Sequence, residues 1–296
     1  MTVQIEEIQV SVPSNDSIIP ITFQGRSVHG TFLMDHTGFG NAPPYHRISG
    51  SDTQDGSTVD GTVIRNRTVS LRIGLEAIDR TVLEELRGRV WRLFSSNHEL
   101  LLVVNRNDGT SRSLYGVVTE GTSYTTQTRI GRMDNITVVI FCANGISVGN
   151  MREVDISGSV GVGTTWTIPM EIPFEIGQGE WAAIHTTYYG GTYKSYPCID
   201  VHGPANGFTL RNTTTGGSMV MAKAVNVGEV ITVDMQNMKV VNAAGEDRFD
   251  ILDVNASRTL DMYLQHGDNT ITVAGSGFNA NSRAVLSWAE RWLDLV

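Results

Sequence analysis

Apolar and polar residues alternate without a break from Val69 through Ser70, Leu71, Arg72, Ile73, Gly74 and Leu75 to Glu76. This period of two predicts a strand with one face in a core. Immediately afterwards the period lengthens. Val82, Leu86, Val90, Leu93 and Phe94 recur at spacings of four and three, which predicts an amphipathic helix over 81–94. Thr81 and Glu84 have the spacing of a capping box, in which each side chain takes a backbone amide at the helix start. Leu100 to Val104, the turn Asn107-Asp108-Gly109 and Leu114 to Val118 predict a hairpin, and Ile136 to Cys142 a further strand. Residues 35–60 are rich in Gly, Pro, Ser, Thr and Asp with almost no apolar periodicity, so they predict an extended loop. Loops of that length inside a domain are usually functional or ordered by a partner.

A weak linker pattern at 143–152 divides the chain into two domains, 1–148 and 149–296. Beyond it, short apolar runs recur about every ten residues: Trp166 to Ile172, Trp181 to Thr187, Cys198 to His202, Val230 to Val233, Thr270 to Val273 and Val285 to Trp288. Short strands punctuated by Gly and Asn turns, with no intervening helix, predict an antiparallel β-sandwich. In the last of them Leu286, Trp288, Glu290 and Trp292 share one face, and Val285, Ser287, Ala289 and Arg291 the other.

Composition narrows the function classes. With 22 Lys+Arg against 31 Asp+Glu the chain carries a formal charge of −9 and has no basic block. That argues against a surface that grips nucleic acid by displacing phosphate counterions. The longest apolar run, Val138 to Ala143, is far short of the roughly 20 residues of a membrane-spanning helix. Met1 to Glu7 lacks the basic and apolar regions of a secretory leader, which predicts synthesis in a cytosol. Cys142 and Cys198 lie in apolar strand-like runs of different halves and are expected as buried free thiols.

Candidate chemistry is sparse. Seven histidines show no metal-ligand spacing, so no metal and no cofactor is expected. Asp52, Asp55 and Asp60 do not follow the calcium-loop pattern. Gly158 to Gly163 resembles a nucleotide loop but lacks a basic residue and a following helix, and reads as a turn. Glu171, Glu175 and Glu180 read as solvated strand ends, so no carboxylate pair is nominated for glycoside hydrolysis. Tyr188, Tyr189, Tyr193 and Tyr196 flank Gly190-Gly191 and admit two readings, a tyrosine-rich hairpin or an aromatic platform for a sugar ring.

Several stretches, taken in order, resemble the distal tail proteins and related minor tail proteins of long-tailed siphophages. In the first half these are Gly40-Asn41-Ala42-Pro43-Pro44, Asp60-Gly61, Arg67 to Ile73 and the helix ending in Leu93-Phe94. In the second half they are Tyr196 to Pro204, Gly228 to Asp234, Gly267 to Ile271 and Ala284 to Trp292. The resemblance implies a mainly β chain. Its amino-terminal domain would be a tail-tube-like β-barrel or sandwich with one flanking helix, its carboxy-terminal domain a β-sandwich similar to galectins and carbohydrate-binding modules. It also implies a non-enzymatic hexameric ring in the virion tail, made in the bacterial cytoplasm, joining the tail tube protein to a tail tip, hub or baseplate protein, with an acidic lumen through which DNA slides. On this reading the segment from Asp35 to Arg65 becomes an inter-subunit arm, with Phe39, Pro43, Pro44, Tyr45 and Arg47 as interface residues. The alternative is a minor tail protein whose second domain binds host-surface carbohydrate through the four tyrosines. The galectin pattern Trp-Gly-x-Glu-x-Arg is not matched by Trp288-Ala289-Glu290-Arg291-Trp292.

Overall fold

The computed structural model describes residues 5–23, 30–50, 55–126, 133–156, 181–279 and 281–295, and these are mainly antiparallel β with one α-helix. They form two compact units, Met1–Asn150 with Trp292–Val296, and Met151–Arg291. The strand read at Trp166 to Ile172 and the turn at Gly158 to Gly163 lie outside the described residues.

In the first unit the strands are β1 (Ile5–Ser11), β2 (Ile21–Phe23), β3 (Gly30–Thr37), β4 (Pro44–Ser49), β5 (Thr58–Ile64) and β6 (Arg67–Glu76). Helix α1 (Arg80–Leu93) follows, then β7 (Glu99–Arg106), β8 (Ser111–Thr126), β9 (Met133–Cys142) and the start of β10 (Ser147–Asp155). The long strand β8 organises the unit. Its first half pairs with β7, from Ser111 opposite Asn105 to Val117 opposite Glu99. Its second half pairs with β9, through register shifts on either side of Glu120. Strands β7, β1 and β2 therefore extend from one end of β8, and β9, β6 and β3 from the other. Bulges at such a crossing bend a strand and let it serve two sheets.

The alternation at 69–75 is realised in full: Val69, Leu71, Ile73 and Leu75 are completely buried in the core of this unit. The hairpin is likewise present, its turn held by Asp108, whose carboxylate accepts the Thr110 amide at 2.9 Å.

Three local expectations are corrected. The helix is capped by Asp79, whose carboxylate accepts the Val82 amide at 2.9 Å, and Arg80 is its first residue. Thr81 thus lies inside the first turn, and Glu84 pairs with Arg87 instead of reaching back. Of the expected stripe, Val90 and Leu93 are fully buried together with Leu83, while Val82 is exposed. The stretch 35–60 is not one extended loop. Strand β3 continues to Thr37, and β4 pairs with β5 as a separate two-stranded ribbon. At 143–152, read as a linker, the chain enters β10.

The second unit contains β11 (Trp181–Tyr189), β12 (Cys198–His202), β13 (Asn206–Asn212), β14 (Gly217–Val220), β15 (Val230–Asp234), β16 (Lys239–Asn242), β17 (Gly267–Ser276) and β18 (Arg283–Trp292). Neighbours run β16-β15-β12-β18 in one sheet and β11-β17-β13-β14 in the other. Their inward residues alternate, Ile199 and Val201, Ile231 and Val233, Leu286 and Trp288 on one side, Phe208 and Leu210, Ile271 and Val273 on the other, and meet in one core.

Candidate functional site

The β4–β5 ribbon is the feature of this molecule that its own fold leaves unsupported. Every residue of β4 and all but the last of β5 are exposed. Four are large and apolar: Tyr45 is 45% exposed, Ile48 61%, Val59 57% and Val63 52%. Isolated two-stranded ribbons are marginal in water, because they bury too little to offset the entropy of ordering them.

Internal contacts hold the ribbon's shape without covering it. The Arg65 guanidinium lies 3.4 Å from the centre of the Tyr45 ring. His46 Nδ1 is 2.9 Å from the Thr62 hydroxyl, and Ser49 Oγ donates to Asp60 at 2.8 Å. A register shift after Arg47 places Asp60 outside the ladder.

The root of the ribbon is rigid. Gly38 has φ +85°, and a Cβ there would stand 2.1 Å from the Thr68 carbonyl oxygen, so only glycine lets the chain leave β3 against β6. Phe39 is buried and stacks on His36 at 4.4 Å, which makes it an anchor of its own unit and removes it from the surface a neighbour could touch. Pro43, Pro44, Tyr45 and Arg47 stand exposed beyond it.

The residues after β18 complete this root. Ala42 donates its amide to the Leu293 carbonyl at 2.6 Å, Leu295 donates to the Phe39 carbonyl at 2.8 Å, and Leu295 is fully buried in the first unit's core. The buried Arg67 guanidinium donates to the Leu293 carbonyl, and Arg112 pairs with Asp294 while lying 4.0 Å over the Trp292 ring. Burial lowers the pKa of Arg67, with Cys142 and Asp294 opposing. Burial also pushes the Cys142 thiol up to about 11. Both cysteines are free; Cys142 is buried, while Cys198 is half-buried with its thiol also pushed up to about 11 by burial.

The four tyrosines do not converge. Tyr189 is completely buried: its hydroxyl donates to the Tyr193 carbonyl at 2.6 Å and accepts the Arg291 amide at 2.8 Å. Tyr188, on the opposite face of β11, is exposed and edge-on to His266. Tyr193 bridges to Arg291, and Tyr196 packs edge-on against Tyr263 under Lys194. Gly190-Gly191 is no hairpin turn, since β11 pairs along its length with β17. A Cβ on Gly191 would strike the Tyr189 hydroxyl at 2.3 Å, so the glycine makes room for this buried ring. Trp288 of the final strand is a core residue. No cluster of metal-ligating side chains occurs among the described residues, and Asp52, Glu171, Glu175 and Glu180 lie outside them.

Comparison with known proteins bears on the second unit most directly. Residues 190–292 match the family described as siphovirus-type tail component, C-terminal domain. In fold the chain is similar to the crystal structure of SPP1 Dit (gp 19.1), described as a paradigm of hub adsorption apparatus in Gram-positive infecting phages. The TM-score is 0.63 at 13% identity, over 88% of this chain and 93% of that one. Weaker likenesses, with TM-scores of 0.42 and 0.40 at 9% and 8% identity, link it to structures of the phage P2 baseplate in its activated conformation with Ca and with Sr. The first covers 98% of both chains, the second 95% of this chain and 97% of that one. No curated protein sequence matches. Residues 190–292, within the second unit, are thus similar to the C-terminal domain of siphovirus-type tail components.

Proposed function

We propose that this chain is the ring-forming distal component of a siphophage tail, six copies of which join the tail tube to the tip or baseplate. In this reading the first unit is the tail-tube-like, ring-forming part, and the second is a galectin-like or carbohydrate-binding-module-like β-sandwich. The observation that carries the reading is the β4–β5 ribbon, whose large apolar side chains are exposed on the single chain, a surface suited to contact with a neighbour in a ring. Function then resides in surfaces and not in a catalytic group. The formal charge of −9 per copy suits a lumen that DNA traverses without adhering.

Light scattering of the purified chain, paired with negative-stain images, tests the assembly. The expected species has about six times 32.3 kDa and a central hole. A strict monomer at every concentration would overturn the ring. A high-resolution map with a basic lumen would overturn the account of DNA passage while leaving the ring intact.

A further inference from the structure

The inner stripe of α1 is buried, and its mostly charged outer side carries one exposed aromatic, Trp91. Trp91 is 46% exposed, and Ile19, from the connection between β1 and β2, is 65% exposed. Ile18, Gly88, Trp91, Arg92, Ser95 and His98 line a groove of about 540 Å³ along the helix. Ile19 and Arg89 border a smaller recess beside it.

Gly88 gives the groove its floor. A Cβ there would meet nothing within 4 Å, so the monomer has room for alanine. A mid-helix glycine costs roughly 1 kcal/mol relative to alanine. The fold gains nothing visible in exchange, which is the pattern of a helix that another backbone approaches closely from outside.

The same chain carries an occupant of matching chemistry. The ribbon offers Ile48, Val59 and Val63 as exposed apolar side chains. The described residues of 44–64 hold one arginine, Arg47, against two aspartates, Asp55 and Asp60. The groove and the recess beside it offer apolar Ile18 and Ile19 beside Arg89 and Arg92, neither of which forms an ion pair among the described residues. The ribbon does not occupy its own chain's groove, since every residue of β4 is exposed.

We infer that the β4–β5 ribbon of one copy seats on the α1 groove of the next and the recess beside it, its apolar side chains on Gly88 and Ile19, with Asp55 and Asp60 toward Arg89 and Arg92. Giving and receiving surfaces are then different patches of one chain. Such head-to-tail contacts propagate, and close into a ring when the rotation allows. The inference rests on the ring reading above and names the surface through which the ring forms.

Two experiments on the full-length chain separate the two claims. Gly88→Met adds a good helix former at the groove floor. Its thermal midpoint is expected to hold or rise, while the concentration for half-assembly rises at least about tenfold. Separately, a Val59→Cys chain is mixed with an Ile19→Cys chain under oxidation, with wild type as the control for Cys142 and Cys198. A disulfide-linked dimer is expected only in the mixture. Wild-type rings with undiminished Gly88→Met assembly and no mixed dimer would overturn the groove and leave the ring standing. A dimer formed by Val59→Cys alone would replace it with ribbon-to-ribbon pairing. Absence of any wild-type assembly, together with no mixed dimer, would remove both.

Discussion

Substituting Leu295 by alanine is expected to destabilise a unit made of Met1–Asn150 and the distant segment Trp292–Val296. Leu295 is completely buried in the core formed by Phe39, Val69, Leu71 and Cys142, among others. Three carbon groups are lost, worth about 2.4 kcal/mol at ~0.8 kcal/mol per buried carbon. The Leu295 amide is held to Phe39 and Leu293 is tied to Ala42, so the backbone cannot follow the shortened side chain inward. The cavity term is therefore nearly complete, adding on the order of 1.5 kcal/mol and giving about 4 kcal/mol in total. Domain stabilities lie at about 5–15 kcal/mol, so the unit would survive with a much smaller margin. Hydrogen exchange read by mass spectrometry on peptides from β6 and β9 is the direct assay. Amides there that exchange through global opening should speed up on the order of a thousandfold, at 1.4 kcal/mol per factor of ten. Leu260→Ala, at a position 72% exposed, is the control and should change little. Unchanged exchange in β6 and β9 for Leu295→Ala would refute the claim that these last residues are part of the first unit's core.

Three further outcomes follow from single contacts. Asp134 is fully buried and holds Arg87, so Asp134→Ala leaves that guanidinium with Glu84 alone and should cost about 1.5–3 kcal/mol in urea unfolding; a loss below 1 kcal/mol would mean the pair is dispensable. Tyr189→Phe leaves the Tyr193 carbonyl and the Arg291 amide without their partner and should cost about 1–3 kcal/mol, whereas Tyr188→Phe at the exposed neighbour should be neutral; equal effects would contradict the assignment. The thiols of Cys142 and Cys198 ionise near 9 when unfolded and about 11 when folded, so their contribution is complete below pH 9 and drains away between pH 9 and 11. The urea midpoint should therefore fall across that window, less steeply in a Cys142→Ala, Cys198→Ala chain, and identical slopes would exclude the thiols as the cause.

Much of the core was legible because it follows strict periods. Val69 to Leu75, the hairpin around Asp108 and the short runs at 198–202, 230–233, 270–273 and 285–288 all bury one face, and burial of one face is what alternation records. The ribbon escaped notice for the opposite reason: with neither face buried, nothing enforces alternation. The β-branched cluster Thr58, Val59, Thr62, Val63 and Ile64 was the remaining signal for a strand there. The helix boundary slipped because Asp79 and Thr81 are both competent caps and only packing chooses between them. Tyr189 illustrates a different limit, since Tyr188 and Tyr189 look alike in sequence but point to opposite faces of β11, one to solvent and one to the core. The attachment of Leu293 and Leu295 to Phe39 and Ala42 spans some 250 positions and leaves no local pattern at either end.

That attachment also sets a clock. A ribosome adding about 5–20 residues per second releases residues 30–64 many seconds before residue 295 exists. The strands β11 to β18 are all made within that interval, while the root of the ribbon still lacks the bonds to Leu293 and Leu295 that fix Phe39 and Ala42. The chain's sticky limb is thus held last, after everything between has been made. Incomplete chains carry the ribbon on a loose base, and a loose base presents its apolar edge in no single direction. Ordering the limb from the far end of the chain postpones self-association until translation has passed the last contact, so nascent copies on one messenger are poor partners for each other.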